Sequence, residues 1–393
     1  MRLILITFLS LFVAGCSSLP RTPFTEAEQS AAQVPGIANA RFYSDSPAEA
    51  VNVILNRPQM YDFARRQGAF NYLALSGGAW DGAYGAGVMN GWTMRGDRPE
   101  FALVSGVSAG ALIAPFAFLG PEYDGAIREA FTGGLATSFD GGFFSLLGGQ
   151  DMQRETLFNL VAKYVDEKFL RRVAEEHARG RRLIIMTVNL DAQRAVIWNM
   201  GAIASSRSPR ALQLFRDVLT ASSSIPGVFA PTRIEVTANG RTFSELHVDG
   251  GVISPVFTIP ESFIVSPNPA DVSKGVKGNI YVVINSRLGP EFEVVEAGIL
   301  PLASRSLSTL IKAQARSTLI ATLEFARARG SRFALTYIDN GFPRDLKPGF
   351  SDVYMNAVYK YGEEKGASAR LWADPLISPD RSASPRRLEA IGR

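Results

Sequence analysis

The chain has 393 residues, of which 46% are hydrophobic and 20% are charged. These proportions are typical of a globular protein and exclude both a disordered chain and a polytopic membrane protein. The single cysteine excludes an internal disulfide framework, and with only two histidines it argues against a Cys/His zinc site. The net charge is +4 and the basic residues are scattered along the chain, so the charge does not indicate nucleic acid as a partner.

The N-terminus has the pattern of a bacterial lipoprotein signal. Arg2 precedes the apolar run Leu3 to Gly15, which fits a signal peptide but is too short to span a bilayer. The run ends at Cys16 in Val-Ala-Gly-Cys, which resembles the lipobox whose thiol is acylated. We therefore predict a signal peptide over residues 1–15 and a lipid anchor at Cys16, since two or more acyl chains hold a protein stably on a membrane. Ser17 after the cysteine favours the outer membrane of a bacterial cell envelope, and the alternative is an ordinary secretory signal with an incidental cysteine.

The mature chain is predicted to form one large domain. Residues 16–70 are predicted to comprise the lipidated cysteine, a flexible tether and a loosely packed lead-in, and residues 377–393 a polar tail. Between them, residues 71–376 are predicted to form an α/β hydrolase domain, because no linker interrupts them.

Buried strands alternate with helices in this domain. The strands predicted from continuous apolar runs are Phe70–Leu75, Phe101–Val104, Arg182–Val188, Ala195–Trp198, Asn279–Ile284 and Phe333–Ile338. Helical patterns occupy residues 82–93, 109–118, 151–177, 208–223, 303–329 and 352–366. Continuous rather than alternating apolar strands predict a three-layer α/β fold, in which helices cover both faces of a mainly parallel central sheet.

The first motif with chemical meaning is a G-x-S-x-G sequence between a predicted strand and a predicted helix. Gly106 and Gly110 flank Ser108 at two positions on either side. Such a strand–turn–helix junction exposes a nucleophilic serine at a sharp turn, and the following helix directs its N-terminal N–H groups at the site. The alternative is a turn of small residues that packs a helix against the sheet.

The second and third motifs are weak when taken alone. Gly77-Gly78-Ala79 follows another predicted strand and can offer backbone N–H groups to an anion, although it could be a simple turn. It has neither the Walker A lysine nor the spacing of a dinucleotide-binding loop. Asp249 is followed by Gly250 and Gly251, a combination that is common in turns.

The three motifs together, in this order, closely resemble the patatin-like phospholipase family. The family pattern is a glycine-rich oxyanion loop, then G-x-S-x-G, then Asp-Gly-Gly or Asp-Gly-Ala. Two further segments, Asn189–Asp191 and Ala221–Phe229, are also similar to segments usual in the family. The resemblance is strongest over residues 71–258.

The resemblance implies a lipid acyl hydrolase that uses a Ser–Asp dyad with no metal and no cofactor. Ser108 is then the nucleophile, Asp249 the base, and the N–H groups of Gly77, Gly78 and Ala79 the oxyanion hole. The substrate is a lipid or another ester, the membrane is reached through the N-terminal anchor, and protein partners are not indicated. Burial has to raise the pKa of the aspartate, because an exposed carboxylate is a poor base at neutral pH.

One departure from the family pattern concerns the oxyanion loop. The family usually has a third glycine where this chain has Ala79, and a basic residue where this chain has Asp81. An oxyanion hole tolerates alanine if its φ stays negative.

Two alternatives remain at this point. A Ser–His–Asp esterase could use His247, which would face the same side as Asp249 on an extended strand. However, the α/β-hydrolase order places the histidine last, and no histidine follows residue 247. The other histidine, His177, is predicted to lie at a solvated helix end. A lipid-binding lipoprotein with an inactive hydrolase fold is the second alternative. The apolar runs Phe116–Leu119 and Phe143–Leu147 are predicted to be core rather than an acyl pocket.

Overall fold

The computed structural model describes residues 21–46, 58–139, 149–258 and 277–372. Within them, one nine-stranded sheet forms the centre of the molecule. Its strands are β1 (Arg41–Tyr43), β2 (Phe70–Leu75), β3 (Leu103–Val107), β4 (Arg182–Asn189), β5 (Arg194–Asn199), β6 (Thr232–Ala238), β7 (Arg241–Asp249), β8 (Gly278–Ile284) and β9 (Arg332–Tyr337).

The helices described lie between these strands. They are α1 (Glu26–Ala31), α2 (Pro58–Arg66), α3 (Gly82–Arg95), α4 (Ala109–Leu119), α5 (Asp124–Glu129), α6 (Leu135–Ser138), α7 (Gln150–Tyr164), α8 (Glu167–Ala178), α9 (Met200–Ser205), α10 (Ala211–Ser222), α11 (Ile299–Ala328) and α12 (Asp352–Ala367). No described helix is long and apolar enough to cross a membrane.

The centre of the sheet is parallel, as the continuous apolar runs predict. β4, β3, β2, β8 and β9 lie side by side in this order and are parallel to one another. Alternate residues of β2 face two different apolar clusters: Leu73 and Leu75 pack with α3, α4 and α12, while Tyr72 and Ala74 pack on the side covered by α11. The predicted mainly parallel sheet with helices on both faces is therefore confirmed.

The bounds of one helix and one strand differ from the prediction for identifiable reasons. The helical pattern over 151–177 is two helices, because the Asp166 side chain accepts the backbone N–H of Phe169 at 2.7 Å and begins a new helix. β3 continues to Val107, beyond its apolar run, because Gly106 pairs with both β2 and β4.

The predicted lead-in is more ordered than expected. Its described parts contribute α1, β1 and α2, and β1 pairs antiparallel with β5 at the edge of the sheet. Phe24 stacks on Phe243 of β7 with ring centroids 4.4 Å apart. The sequence patterns did not predict β1, because a strand of three residues is too short to give a recognisable apolar run.

A branch of the sheet at β4 brings the ends of two strands, β3 and β7, together. The first half of β4 pairs with β3, and this pairing stops at Val107 opposite Met186. Beyond that point β7 pairs with β4 from the same side, antiparallel, and stops at Asp249 opposite Thr187. The end of β3 therefore meets the end of β7 at the carboxyl edge of the parallel strands.

Close helix packing supports this edge from one face. An added Cβ at Gly87 of α3 would lie 2.0 Å from the Tyr359 carbonyl oxygen of α12, and one at Gly362 would lie 2.2 Å from the Tyr84 carbonyl oxygen. Only glycine allows two helix backbones to approach so closely. The loop that precedes α3 is thereby fixed against α12.

Candidate active site

Ser108 lies at the turn between β3 and α4 in a strained backbone conformation. Its φ of 55° and ψ of −127° are outside the regions that side-chain-bearing residues ordinarily adopt. Strain of this kind costs on the order of 1–3 kcal/mol and persists only where neighbours enforce it. Ser108 is 6% exposed and lines a pocket of about 540 Å³.

Three consecutive serines at the end of α10, Ser222 to Ser224, hold this turn in place. The Ser108 N–H donates to Ser222 Oγ at 3.1 Å, and the Ser223 hydroxyl donates to the Ser108 carbonyl at 3.0 Å. The Ser224 carbonyl accepts the N–H of Asp249 at 3.1 Å. One segment thus fixes the backbones of both predicted dyad residues. The sequence indicated the segment, Ala221–Phe229, only as a family similarity and did not reveal this positioning role.

Asp249 ends β7 with its carboxylate directed at Ser108. The carboxylate accepts the N–H of Gly251 at 2.7 Å, and the Ser108 hydroxyl lies near enough to lower its pKa. Burial is the larger effect and raises the pKa of Asp249 to about 7, while Ser108 and the Gly251 N–H oppose this rise. A carboxylate with a pKa near neutrality is suited to accept a proton from a hydroxyl at physiological pH.

His247 is occupied by a different set of contacts. Its Nδ1 lies 2.9 Å from Thr187 Oγ1, and its Nε2 lies 2.9 Å from Glu245 Oε2. Glu245 is in turn paired with Arg41. The ring is fully buried, and the loss of solvation lowers its pKa. Both ring nitrogens are engaged away from Ser108, so the geometry gives no support to a histidine base at this position.

The other histidine is also remote from this chemistry. His177 is half-buried at the end of α8 rather than fully solvated, and it packs against Gly201 and Arg182.

The oxyanion loop differs from the prediction at one donor. The Gly77 N–H donates to the Pro255 carbonyl at 2.8 Å, so it is not free to bind an oxyanion. No described residue accepts the N–H of Gly78 or Ala79. Gly77 is therefore removed from the predicted set of three donors, and Gly78 and Ala79 stay as the predicted ones. Gly78 is required here, because an added Cβ would lie 1.9 Å from the Asn285 carbonyl oxygen.

Ala79 does not meet the condition, a negative φ, under which the sequence argument expects alanine to be tolerated. Its φ is 49°, in the left-handed region, where a residue with a Cβ loses roughly 1–2 kcal/mol. The alanine therefore adopts a backbone conformation that favours glycine, at a cost in stability.

The remaining motif residues shape the turns around the site. Gly106 lies in β3 beneath the first turn of α4, Gly110 in α4 against the Leu75 carbonyl, and Gly250 against the Met186 carbonyl. Asn189 and Asp191 form a turn: the Asn189 side chain accepts two backbone N–H groups, and Asp191 accepts the N–H of Leu246. These residues hold the backbone and do not contact the reacting groups.

A pocket of about 540 Å³ opens above Ser108 and Asp249. Its walls include apolar side chains together with three basic residues from later elements: Arg287, Lys312 and Arg344. The basic residue that the family pattern has in the oxyanion loop is absent. Basic side chains border the pocket from elsewhere, and two of them, Arg287 and Lys312, are paired with Glu291, which also lines the pocket. The sequence carried no signal for these three residues.

Asp81 lines the same pocket. Its carboxylate accepts the Tyr354 hydroxyl at 2.6 Å. Burial raises the pKa of Asp81 to about 7, so this group carries little charge below neutrality.

A second, apolar cavity begins on the other side of Ser108. It is about 20 Å³ in volume and is bordered by Leu112, Leu135 and Phe139 among others. Leu112 and Leu135 also border a further apolar cavity of about 30 Å³. The two side chains therefore line both spaces, of which the first also contacts Ser108. Phe116, predicted to be core, is buried at the far cavity and agrees with that prediction.

Some predicted features are not covered by this description. Cys16 and the run Phe143–Leu147 lie outside the described residues. Within the described ranges, no three His, Cys, Asp or Glu side chains are placed to hold a metal ion.

Comparisons with known proteins agree with the motif order. Residues 73–261 match the sequence profile of the patatin-like phospholipase family, which confirms the resemblance. VipD from Legionella pneumophila is similar at 14% identity with a TM-score of 0.37, and the match covers 76% of this chain and 66% of VipD. The type III effector ExoU is similar at 11% identity with a TM-score of 0.29, over 79% of this chain and 54% of ExoU. The chain thus spans just under two thirds of the first protein and about half of the second, and no curated protein matches its sequence significantly.

Proposed function

We propose that this chain, which carries a patatin-like phospholipase domain over residues 73–261, is a serine acyl hydrolase that cleaves the carboxylic esters of lipids. The observation that supports this most strongly is the meeting of Ser108 and Asp249, which line the same pocket and whose side chains lie close enough to interact. Ser108 is the nucleophile and Asp249 the general base.

In the first half of the reaction, Ser108 Oγ attacks the ester carbonyl carbon while Asp249 accepts the hydroxyl proton. The negative charge that develops on the carbonyl oxygen is stabilised by the N–H groups of Gly78 and Ala79 and by the N-terminus of α4. The bond to the leaving alcohol then breaks, and that alcohol takes the proton from Asp249. The acyl group is left on Ser108.

In the second half, water attacks the acyl-enzyme. Asp249 accepts a proton from the water, and the oxyanion accepts hydrogen bonds from the same two N–H groups. Collapse releases the carboxylic acid and returns the proton to Ser108. Every proton passes between Ser108, Asp249, the alcohol and water.

The positioning of the dyad favours this chemistry over a binding role. A protein that only bound lipid would have no use for the strained φ of Ser108 or for a buried carboxylate with a raised pKa, since both reduce stability. Such features cluster where a reaction needs them.

Labelling with a fluorophosphonate tests the nucleophile directly. The unmodified chain is expected to form a covalent adduct, and Ser108→Ala is expected to form none. Ser105→Ala is the matched control, because Ser105 is also a buried serine of β3 but hydrogen-bonds to the Phe257 carbonyl. Absence of labelling in the folded, unmodified chain would favour the lipid-binding alternative.

The same proposal includes a lipid anchor at Cys16 on the outer membrane of a bacterial envelope. It rests on the lipobox-like Val-Ala-Gly-Cys sequence and on the stable anchoring that multiple acyl chains give. Cys16→Ser is expected to remain an unprocessed precursor or to become soluble. A processed Cys16→Ser protein that still fractionates with the outer membrane would contradict the anchor.

A further inference from the structure

Large apolar side chains are exposed beside the mouth of the pocket. Phe292 and Val294, in the segment before α11, are 93% and 82% exposed, and Leu302 and Leu310 of α11 are 53% and 67% exposed. Phe292 itself borders the pocket that contains Ser108. Clustered exposure of large apolar side chains marks an interaction surface in a soluble protein, unlike scattered single residues. We call these four residues the rim patch.

α11 has two halves with different surroundings. In its second half, Leu319 and Ala326 are buried against the sheet. In its first half, Leu307 and Ile311 border the pocket instead, and Leu310 lies outside the pocket and is exposed. The first half of the helix therefore forms one lip of the site and presents an apolar side outward.

The charge along α11 is one-sided. Residues 297–323 contain no Asp or Glu but contain Arg305, Lys312 and Arg316. These three follow one another at intervals of seven and four residues, so they lie along one line of the helix, about 60° around the axis from Leu302 and about 140° from Leu310. Arg305 and Lys312 are paired with glutamates of the preceding segment, whereas no described acidic residue pairs with exposed Arg316. A helix with exposed leucines on one side and basic residues on a neighbouring side is the kind that lies in the interface of an anionic bilayer.

The start of the described chain lies at the same edge of the sheet. Arg21 pairs with Asp191, which directly follows β4 at the carboxyl edge where Ser108 lies. Five peptide steps separate Cys16 from Arg21, and they span at most about 18 Å. An anchor at Cys16 would therefore hold this edge near the membrane.

We propose that the rim patch and the first half of α11 dock on the surface of a lipid bilayer that contains anionic lipid, with the pocket mouth facing the membrane. This proposal rests on the proposed function, because it supplies the route by which a lipid ester reaches Ser108. Phe292, Val294, Leu302 and Leu310 enter the headgroup region, and Arg316 contacts anionic headgroups. A second copy of the chain is the competing occupant of this surface.

A single environment-sensitive fluorophore tests the docking. The chain has one cysteine, so the mature chain with Cys16→Ser, produced without residues 1–15, gives a cysteine-free background that lacks both the acyl anchor and the apolar signal run. Leu310→Cys in this background carries the fluorophore at the rim patch. Met94→Cys is the matched control, because Met94 is 70% exposed near the end of α3, which runs away from the carboxyl edge.

Vesicles of phosphatidylglycerol and phosphatidylethanolamine are expected to raise and blue-shift the emission at position 310 and to leave position 94 unchanged. Phosphatidylcholine vesicles and added salt are expected to weaken the response, because charge contributes to the binding. An unchanged emission at 310, an equal response at 94, or a change at 310 that follows protein concentration without vesicles would overturn the proposal.

Activity separates this proposal from the proposed function. Leu310→Asp in the unlabelled chain is expected to retain turnover of the soluble ester p-nitrophenyl butyrate and to lose about tenfold in turnover of vesicle phospholipid. Equal loss on both substrates in a folded protein would contradict the docking role. Absence of Ser108-dependent turnover on either substrate would reject the proposed function, while the fluorophore would still report whether position 310 meets the bilayer.

Discussion

Asp249→Asn should abolish activity and, above neutral pH, stabilise the protein. Burial raises the pKa of Asp249 from 3.8 to about 7, a shift of about three pH units, and one unit corresponds to about 1.4 kcal/mol. Since the raised pKa belongs to the folded state, the free energy of unfolding falls as the pH rises through the interval between the two values. The penalty is about 1.5 kcal/mol at pH 5 and about 4 kcal/mol at pH 8, where the carboxylate is ionised in both states.

The neutral amide of Asn removes this dependence on pH. Asn still has an oxygen to accept the Gly251 N–H, and any change in packing contributes equally at both pH values. Urea unfolding of the parent and the variant at pH 5 and pH 8 measures the difference. The advantage of the variant should grow by about 2–3 kcal/mol between the two pH values.

Asp345→Asn provides the control, because Asp345 lies exposed in a loop and its replacement should give an equal, small effect at both pH values. If the difference between parent and Asp249→Asn is the same at pH 5 and pH 8, the carboxylate is not desolvated and the argument for a tuned base fails.

Three further predictions follow from the site. The kcat/KM for a soluble ester should rise about tenfold per pH unit below an apparent pKa near 7, because Asp249 must be ionised. Asp81→Asn should show the same rise with pH. If the rise is lost in Asp81→Asn, the titrating group is Asp81 and not Asp249. Ala79→Gly should raise the free energy of unfolding by roughly 1 kcal/mol, because glycine relieves the strain of a positive φ. Ala313→Gly, at an exposed position of α11, should lower it by about 1 kcal/mol. Urea midpoints of the two variants that move in the same direction would contradict this. Leu112→Ala should join the two apolar cavities and shift the preference among p-nitrophenyl esters toward longer acyl chains, and an unchanged chain-length profile would show that the acyl group lies elsewhere.

Local sequence patterns predicted the parallel part of the fold well. The strand at Phe70–Leu75 has the predicted bounds, because five of its six residues are buried and the apolar run coincides with the burial. The same reasoning missed β6 and β7, where buried and partly exposed residues alternate. Continuous apolar runs were the signal used, and these strands depend on pairing with each other and with β4.

The site was predicted from motif order, and its details depend on contacts distant in sequence. The proximity of Ser108 and Asp249 follows from the branch of β4, which no local pattern encodes. The Gly77 N–H is taken by Pro255, 178 residues later, and this contact could not be anticipated from the loop. The positive φ of Ala79 is likewise imposed by its surroundings and contradicts the local preference of alanine.

The central claim is that Ser108 and Asp249 act as one unit without a histidine. The measurement is kcat for p-nitrophenyl butyrate with Ser108→Ala, Asp249→Asn, the double variant and His247→Gln, after circular dichroism establishes that each is folded. Each dyad substitution should reduce kcat by orders of magnitude, and the double variant should be scarcely worse than either single one. His247→Gln should retain most of the activity, with some loss of stability because its buried hydrogen bonds change. A folded His247→Gln protein as inactive as Ser108→Ala would make histidine the base and contradict the account.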